Sequence, residues 1–158
     1  IMALDYGRRR IGIAISDPTH TIATPGGVIE RPHNAKPKKV PRRLLEMVRE
    51  SDTSTILVGI PFSMDGLAGP MAKEVRAFAA AVKKATGIPT VEWDERLTTA
   101  QAEREIQAMG LPRGKRREKG RTDEMAAMLM LSAYLRLRNL EQPGKEAADE
   151  DVALMDTP

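Results

Sequence analysis

The sequence predicts an α/β fold: a mixed five-stranded sheet, three strands in a meander and two more added in parallel, flanked by helices. Three observations carry that reading. Strand-like apolar runs crowd the first 31 residues, joined by connections too short to hold a helix. Beyond residue 40, helical and strand-like segments alternate, which requires crossovers and parallel pairing. The chain has 158 residues, 41% hydrophobic and 30% charged, enough for one globular domain with a real core.

Ile1 to Leu4 forms a short apolar run that ends at Asp5. In RIGIAIS, Ile11, Ile13 and Ile15 alternate with Gly12, Ala14 and Ser16, the period-2 pattern of a strand. The two runs are close enough to make a hairpin through Tyr6–Arg10. Thr21–Arg31 carries PGG and reads as a third strand, with a bulge expected at Gly26–Gly27. The basic connection HNAKPKKVPRR leads into a helix expected near Pro41–Glu50, with Pro41 in its first turn and Leu44, Leu45 and Val48 on its apolar side. TILVGIP (Thr55–Pro61) lacks alternation and reads as a buried central strand. After the loop FSMDGLAGP, a helix is expected over Met71–Thr86. Val75, Phe78, Ala79 and Val82 share its apolar face and Gly87 ends it. Thr90–Trp93 is the fifth strand, with Asp94 and Glu95 at its end. Thr98 or Thr99 caps a helix running to about Met109, stopped by Gly110. The loop LPRGKRREKGR precedes a last long helix from Thr122 or Asp123 through about Asn139. Residues 1–140 read as one domain and 141–158 as an acidic, disordered tail.

Composition excludes several chemistries. No cysteine is present, so disulfides, thiolate zinc sites and cysteine nucleophiles are ruled out. The two histidines, His20 and His33, cannot make a histidine-rich metal site. Any bound metal must therefore rely mostly on carboxylates, which suit magnesium or manganese. No apolar run approaches the roughly 20 residues of a membrane span, and no signal-peptide pattern opens the sequence. A cytoplasmic location without membrane contact is the expectation. Net charge is +3, but residues 1–140 hold 24 basic against 16 acidic residues. A basic body with an acidic tail points to a polyanionic partner such as nucleic acid.

Three acidic positions stand out: Asp5 at the end of the first strand, Asp94 and Glu95 at the end of the fifth, and Asp123 at the start of the final helix. If the first and fifth strands run parallel through the sheet's centre, their C-terminal ends share an edge, where ligand sites in open α/β sheets gather. A helix packed over the sheet can bring Asp123 to the same place. Carboxylates gathered there would repel one another unless a divalent cation relieved them. Two such ions can activate water and stabilise the leaving oxygen in phosphodiester hydrolysis. Simpler roles stay open for each residue taken alone. Asp5 can cap a hairpin turn, Asp94–Glu95–Arg96 can be a surface ion pair, and Asp123 can be a helix-cap acid.

The motifs LDYGRRRIGIAISD, VGIPFSMDG, DERLTT and TDEMAAMLMLSAYL occur in this order. Together they resemble the YqgF/RuvX family, described as pre-16S rRNA nucleases and as Holliday-junction-resolvase-like, over roughly residues 1–140. The resemblance implies an RNase H-like fold and a metal-dependent nuclease. It implies a catalytic triad of Asp5, Glu95 and Asp123, with Asp94 added to these as a metal ligand, and one or two magnesium or manganese ions. The well-known Holliday-junction resolvases contrast with this sequence at the fourth strand: TILVGIP carries no acid, so the second carboxylate must come from DER.

Basic residues complete the picture. RGKRREKGR supplies Arg113, Lys115, Arg116, Arg117, Lys119 and Arg121 just before Asp123, an arm suited to gripping phosphates. Arg8, Arg9 and Arg10 follow Asp5, and one of them is expected at the scissile phosphate. Arg96 is expected either at nucleic acid or orienting Glu95. KPKKVPRR (36–43) is a second basic cluster. Aromatics are only 3% of the chain, too few for a base-stacking platform, so backbone and shape recognition are expected. The substrate expected is structured RNA, a precursor rRNA free or on the ribosome, matured at the 5′ end of 16S rRNA. Branched DNA and a non-catalytic nucleic-acid-binding module are the alternatives. An actin-like ATPase half is a weaker one, since such enzymes need two domains. Monomer and homodimer are left open.

Overall fold

The computed structural model of the chain describes residues 1–63, 65–97 and 119–141. Among these residues, five strands form one sheet: β1 (Met2–Tyr6), β2 (Arg10–Ser16), β3 (Ala23–Glu30), β4 (Ile56–Ile60) and β5 (Thr90–Asp94). Their order is β3-β2-β1-β4-β5. The meander β1–β2–β3 is antiparallel, while β4 pairs parallel with β1 and β5 parallel with β4. The register between β2 and β3 shifts at Ile13/Ala14, where Gly26 has no counterpart. That is the expected bulge. β1 extends two residues further than its apolar run, so Asp5 is a strand residue paired with Gly12. β5 is an edge strand, and β4 separates it from β1.

Among the described residues, three helices cover the sheet: α1 (Arg42–Glu50), α2 (Pro70–Thr86) and α3 (Lys119–Glu141). Pro41 is the N-cap of α1 rather than part of its first turn. Pro70 opens α2, where its fixed φ suits the first helical position and its missing N–H costs nothing. α3 begins earlier than its capping residues suggest, so Thr122 and Asp123 lie within its first turns. The helix expected after Thr98 or Thr99, the loop residues Arg113, Lys115, Arg116 and Arg117, and the tail beyond residue 141 lie outside the described residues.

Strand alternation sorts the core into two layers. Met2, Leu4, Tyr6, Ile11, Ile13, Ile56, Val58 and Ile60 pack with Leu44 and Val48 of α1 and with Val75, Phe78 and Val82 of α2. On the other face, Ala3, Ala14, Leu57 and Trp93 pack with Ala127, Met130, Leu131 and Leu135 of α3. β4 is buried along its whole length because both faces are covered. The α3 side is lined by small residues on β1 and β2, which lets the helix settle close to the sheet.

A buried arginine ties the β1–β2 hairpin to the connection between β3 and α1. Arg31 is only 6% exposed. Its Nη1 donates to the Gly7 carbonyl at 3.1 Å and its Nη2 to the Lys36 carbonyl at 3.1 Å. Its guanidinium carbon lies 4.5 Å from the Tyr6 ring centroid, a stacked cation–π contact. Truncation would strand these carbonyls away from water. Arg31→Met is therefore expected to lower stability by about 2–4 kcal/mol, read from urea unfolding. A loss below about 0.5 kcal/mol, the scale of ordinary surface changes, would contradict this role.

Candidate active site

The face of the sheet under α3 holds the acidic residues that matter. In β1 the parity that buries Ala3 against α3 also puts Asp5 on that side. Asp5 is half-buried, and its carboxyl is pushed up to about 7, first by burial, then by Glu95 and by Asp123. Three acids that the chain separates by many residues are thus close enough to feel one another.

Two glycines make that proximity possible. Gly12, the partner of Asp5 in the β1–β2 ladder, lies directly under the first turns of α3. A Cβ placed there would sit 2.1 Å from the Asp123 carbonyl oxygen. Only a residue without a side chain lets the helix backbone come down at this point, and this seats Asp123 beside Asp5. Gly59 does the same service on β4. A Cβ there would lie 2.7 Å from Glu95 Oε1 and 2.9 Å from Met130 Sδ. Glu95 follows the edge strand, yet its carboxylate reaches back over β4 toward β1 through the space that Gly59 leaves. Burial raises the Glu95 pKa, and neighbouring Asp94 raises it further. Gly59→Ala is expected to displace the Glu95 carboxylate and reduce turnover about tenfold or more, since small misplacements at a reacting centre are costly. Steady-state kinetics on the folded variant checks this, and unchanged turnover would contradict it.

Asp94 does not join this group. In β5, Val91 and Trp93 face α3, whereas Glu92 pairs with Arg76 of α2 at 3.0 Å. The same alternation sends Asp94 to the α2 side. There Arg96 Nη2 donates to its carboxylate at 2.6 Å, and the guanidinium holds its pKa below the usual range. Arg96 also lies over the Phe62 ring, at 5.3 Å. Asp94, expected as a metal ligand, and Arg96, expected at nucleic acid or orienting Glu95, thus pair with each other on the opposite face.

The three arginines after Asp5 divide in the same way. Arg8 Nε donates to Glu74 of α2 at 3.1 Å, next to the Tyr6 hydroxyl, which donates to the same carboxylate at 2.9 Å. Arg10 points to the α3 side, with Nη1 4.0 Å from Asp123 Oδ2. Arg9 is exposed, and no ion pair engages it among the described residues. Lys119 and Arg121 fall in the first turns of α3. Sequence reasoning missed Gly12 and Arg31. The small residues alternating along β2 were the available signal for the first of these.

Among the described residues, no three acidic or imidazole side chains converge as a ready-made cation site. The donor set nonetheless suits a hard cation: it is all-oxygen and partly buried. No helix among the described residues is long and apolar enough to cross a membrane.

Comparison with known proteins supplies context. Residues 1–137 match the family described as "RuvX: Holliday junction resolvase". A protein of Lachnospira eligens named "Putative pre-16S rRNA nuclease" is 38% identical over 137 residues, spanning 85% of this chain and 95% of the relative. One of Thermoanaerobacter pseudethanolicus with the same name is 41% identical over 136 residues, spanning 85% and 94%. Among solved structures, T. thermophilus RuvC in complex with a Holliday junction substrate superposes with a TM-score of 0.57 at 17% identity, covering 87% of this chain and 96% of that one. The RuvC structure described on its own gives 0.54 at 18%, covering 87% and 97%. The likeness to RuvC establishes the RNase H-like fold.

Proposed function

The chain belongs to the RuvX family, and from that premise we propose that it is a divalent-metal-dependent nuclease that trims the 5′ end of precursor 16S rRNA. The observation that carries the reading is the approach of Glu95 and Asp123 to Asp5, whose pKa both of them raise, on one face of the sheet, beside Arg10. Asp5, Glu95 and Asp123 would hold magnesium or manganese. Such an ion, when bound, polarises the phosphoryl oxygens and generates a nucleophilic hydroxide near neutral pH. The carboxylates in turn fix where that charge is held. Arg10, adjacent to Asp123, offers charge-assisted hydrogen bonds to a phosphate oxygen. The basic run Arg113–Arg121 precedes Asp123 in the chain and supplies sequence-independent grip on the backbone. RNA is favoured over branched DNA by the names of the most similar relatives. The family description and the RuvC-like fold favour the second reading, a DNA-junction resolvase.

One comparison tests this. The protein is incubated with precursor 16S rRNA and, separately, with a four-way DNA junction, each with magnesium or manganese. The expected result is cleavage near the mature 5′ end of the RNA, with the junction cut at least about tenfold more slowly, one decade per 1.4 kcal/mol. Preferential junction cleavage would replace this reading with the resolvase. Binding of both without cleavage would leave a non-catalytic nucleic-acid-binding module.

A further inference from the structure

Beyond the carboxylates, at the open end of the β1–β2–β3 meander, lies a solvent-open cleft of about 370 Å³ lined by Arg9, Arg10, Glu30, Arg31 and His33. Three arginines and a single acidic residue line it. The charge is poorly compensated: among the described residues no ion pair engages Arg9. Arg31 spends its Nη donors on backbone carbonyls, and its buried Nε has no partner there. The cleft is also rigidly framed. The Arg31 amide donates to the Arg9 carbonyl at 2.8 Å, and Arg10 pairs with Glu30 in the ladder. Arg10 joins the two places, since it lines this cleft while its Nη1 lies 4.0 Å from Asp123 Oδ2.

We infer that this cleft is a second phosphate seat, taking a backbone phosphate of the substrate strand adjacent to the one held at the carboxylates. The inference rests on the nuclease reading above and deepens it by fixing the path of the strand: across the α3 face and out over the end of the meander. Its volume exceeds a phosphate group and accommodates part of a nucleotide unit, and its open mouth suits a polymer that passes through. Arg31 sets the frame, Arg9 and Arg10 supply the charge, and His33 supplies a further polar contact. Glu30 opposes the anion and so limits its affinity.

Fluorescence anisotropy of a labelled RNA of about 12 nucleotides, with the full chain in chelator to prevent cleavage, tests the seat across a range of salt. Arg9→Gln is expected to weaken binding about fivefold to tenfold near 0.1 M salt and to reduce the salt slope by about one. His33→Gln should weaken it less, and Glu30→Gln should tighten it about twofold. Lys84→Gln is the control for charge alone. Lys84 lies in the last turn of α2, which returns from the end of β4 to the start of β5, at the far end of the sheet. Equal effects of Arg9→Gln and Lys84→Gln would overturn the seat. Uridine monophosphate added as competitor should act only at millimolar concentration. Competition in the micromolar range would make the cleft a nucleotide site and overturn the strand-phosphate assignment. The Arg9 effect in a protein that cleaves no nucleic acid would sustain the seat while refuting the nuclease reading. Cleavage with no Arg9 effect would do the reverse.

Discussion

Asp5→Asn is expected to reduce cleavage by about a thousandfold or more while making the metal-free protein more stable at alkaline pH. The loss of activity follows from removing a charged oxygen donor at the reacting centre, where metal-supported charge stabilisation amounts to several kcal/mol and each 1.4 kcal/mol is a decade in rate. The gain in stability follows from the pKa. Burial, then Glu95, then Asp123 push the Asp5 carboxyl from 3.8 up to about 7. The folded state therefore holds this proton more tightly than the unfolded chain does. That contribution is fully present below about pH 3.8 and declines as pH rises, and it is gone above about 7. Asparagine stays neutral throughout. At pH 8 the variant should exceed the wild type by up to about 4 kcal/mol at ~1.4 kcal/mol per unit, and the difference should vanish near pH 3.5. Urea unfolding in chelator at both values measures it. Added magnesium should then stabilise the wild type alone. A variant no more stable than wild type at pH 8 would mean that Asp5 is not buried against other carboxylates.

Gly12→Ala carries the second large effect. The new Cβ would lie 2.1 Å from the Asp123 carbonyl oxygen, 2.4 Å from its carbon and 3.0 Å from the Glu124 nitrogen. All three are backbone atoms of a helix, so no flexible side chain can turn aside. α3 must lift from β2, loosening the layer of Ala14, Ala127 and Leu131. Overpacking of this kind costs about 1–3 kcal/mol, occasionally more, and the rigid neighbour places this site at the upper end. The displacement also moves Asp123 from Asp5. Turnover should fall about a hundredfold beyond what the folded fraction explains. Denaturant midpoints and kinetics on the same sample separate the two effects. A variant within about 0.5 kcal/mol of wild type, with full turnover, would contradict the close seating of α3.

The sheet was legible in the sequence because its signals are local. RIGIAIS alternates, TILVGIP does not, and Gly87 ends the second helix. The bulge at PGG was equally readable. The candidate site was legible as a set of strand and helix ends, but not as a set of faces. TVEWDE alternates, so Trp93 and Glu95 share one side and Asp94 takes the other. Yet nothing local says which side α3 covers. Arg31 was illegible for a different reason. Its partners are the carbonyl of Gly7, 24 residues away in the chain, and that of Lys36, and a charged residue after a strand ordinarily signals the surface. At Gly59–Ile60–Pro61 the sequence suggests a turn at the sheet edge, either a simple tight one or one that lets a backbone strand come close, whereas Gly59 lies inside β4 with the Glu95 carboxylate against it. Its role depends on a carboxylate arriving from beyond the next strand.

The central claim is that Asp5, Glu95 and Asp123 act as one metal-supported centre. Single-turnover cleavage by Asp5→Asn, Glu95→Gln, Asp123→Asn and the triple variant tests it most directly. Residues that work as a unit lose their function together. Each single substitution should therefore cost nearly as much as all three, with every variant still folded and still binding RNA. Losses that multiply from one substitution to the next, or any single variant cleaving at the wild-type rate, would contradict the account.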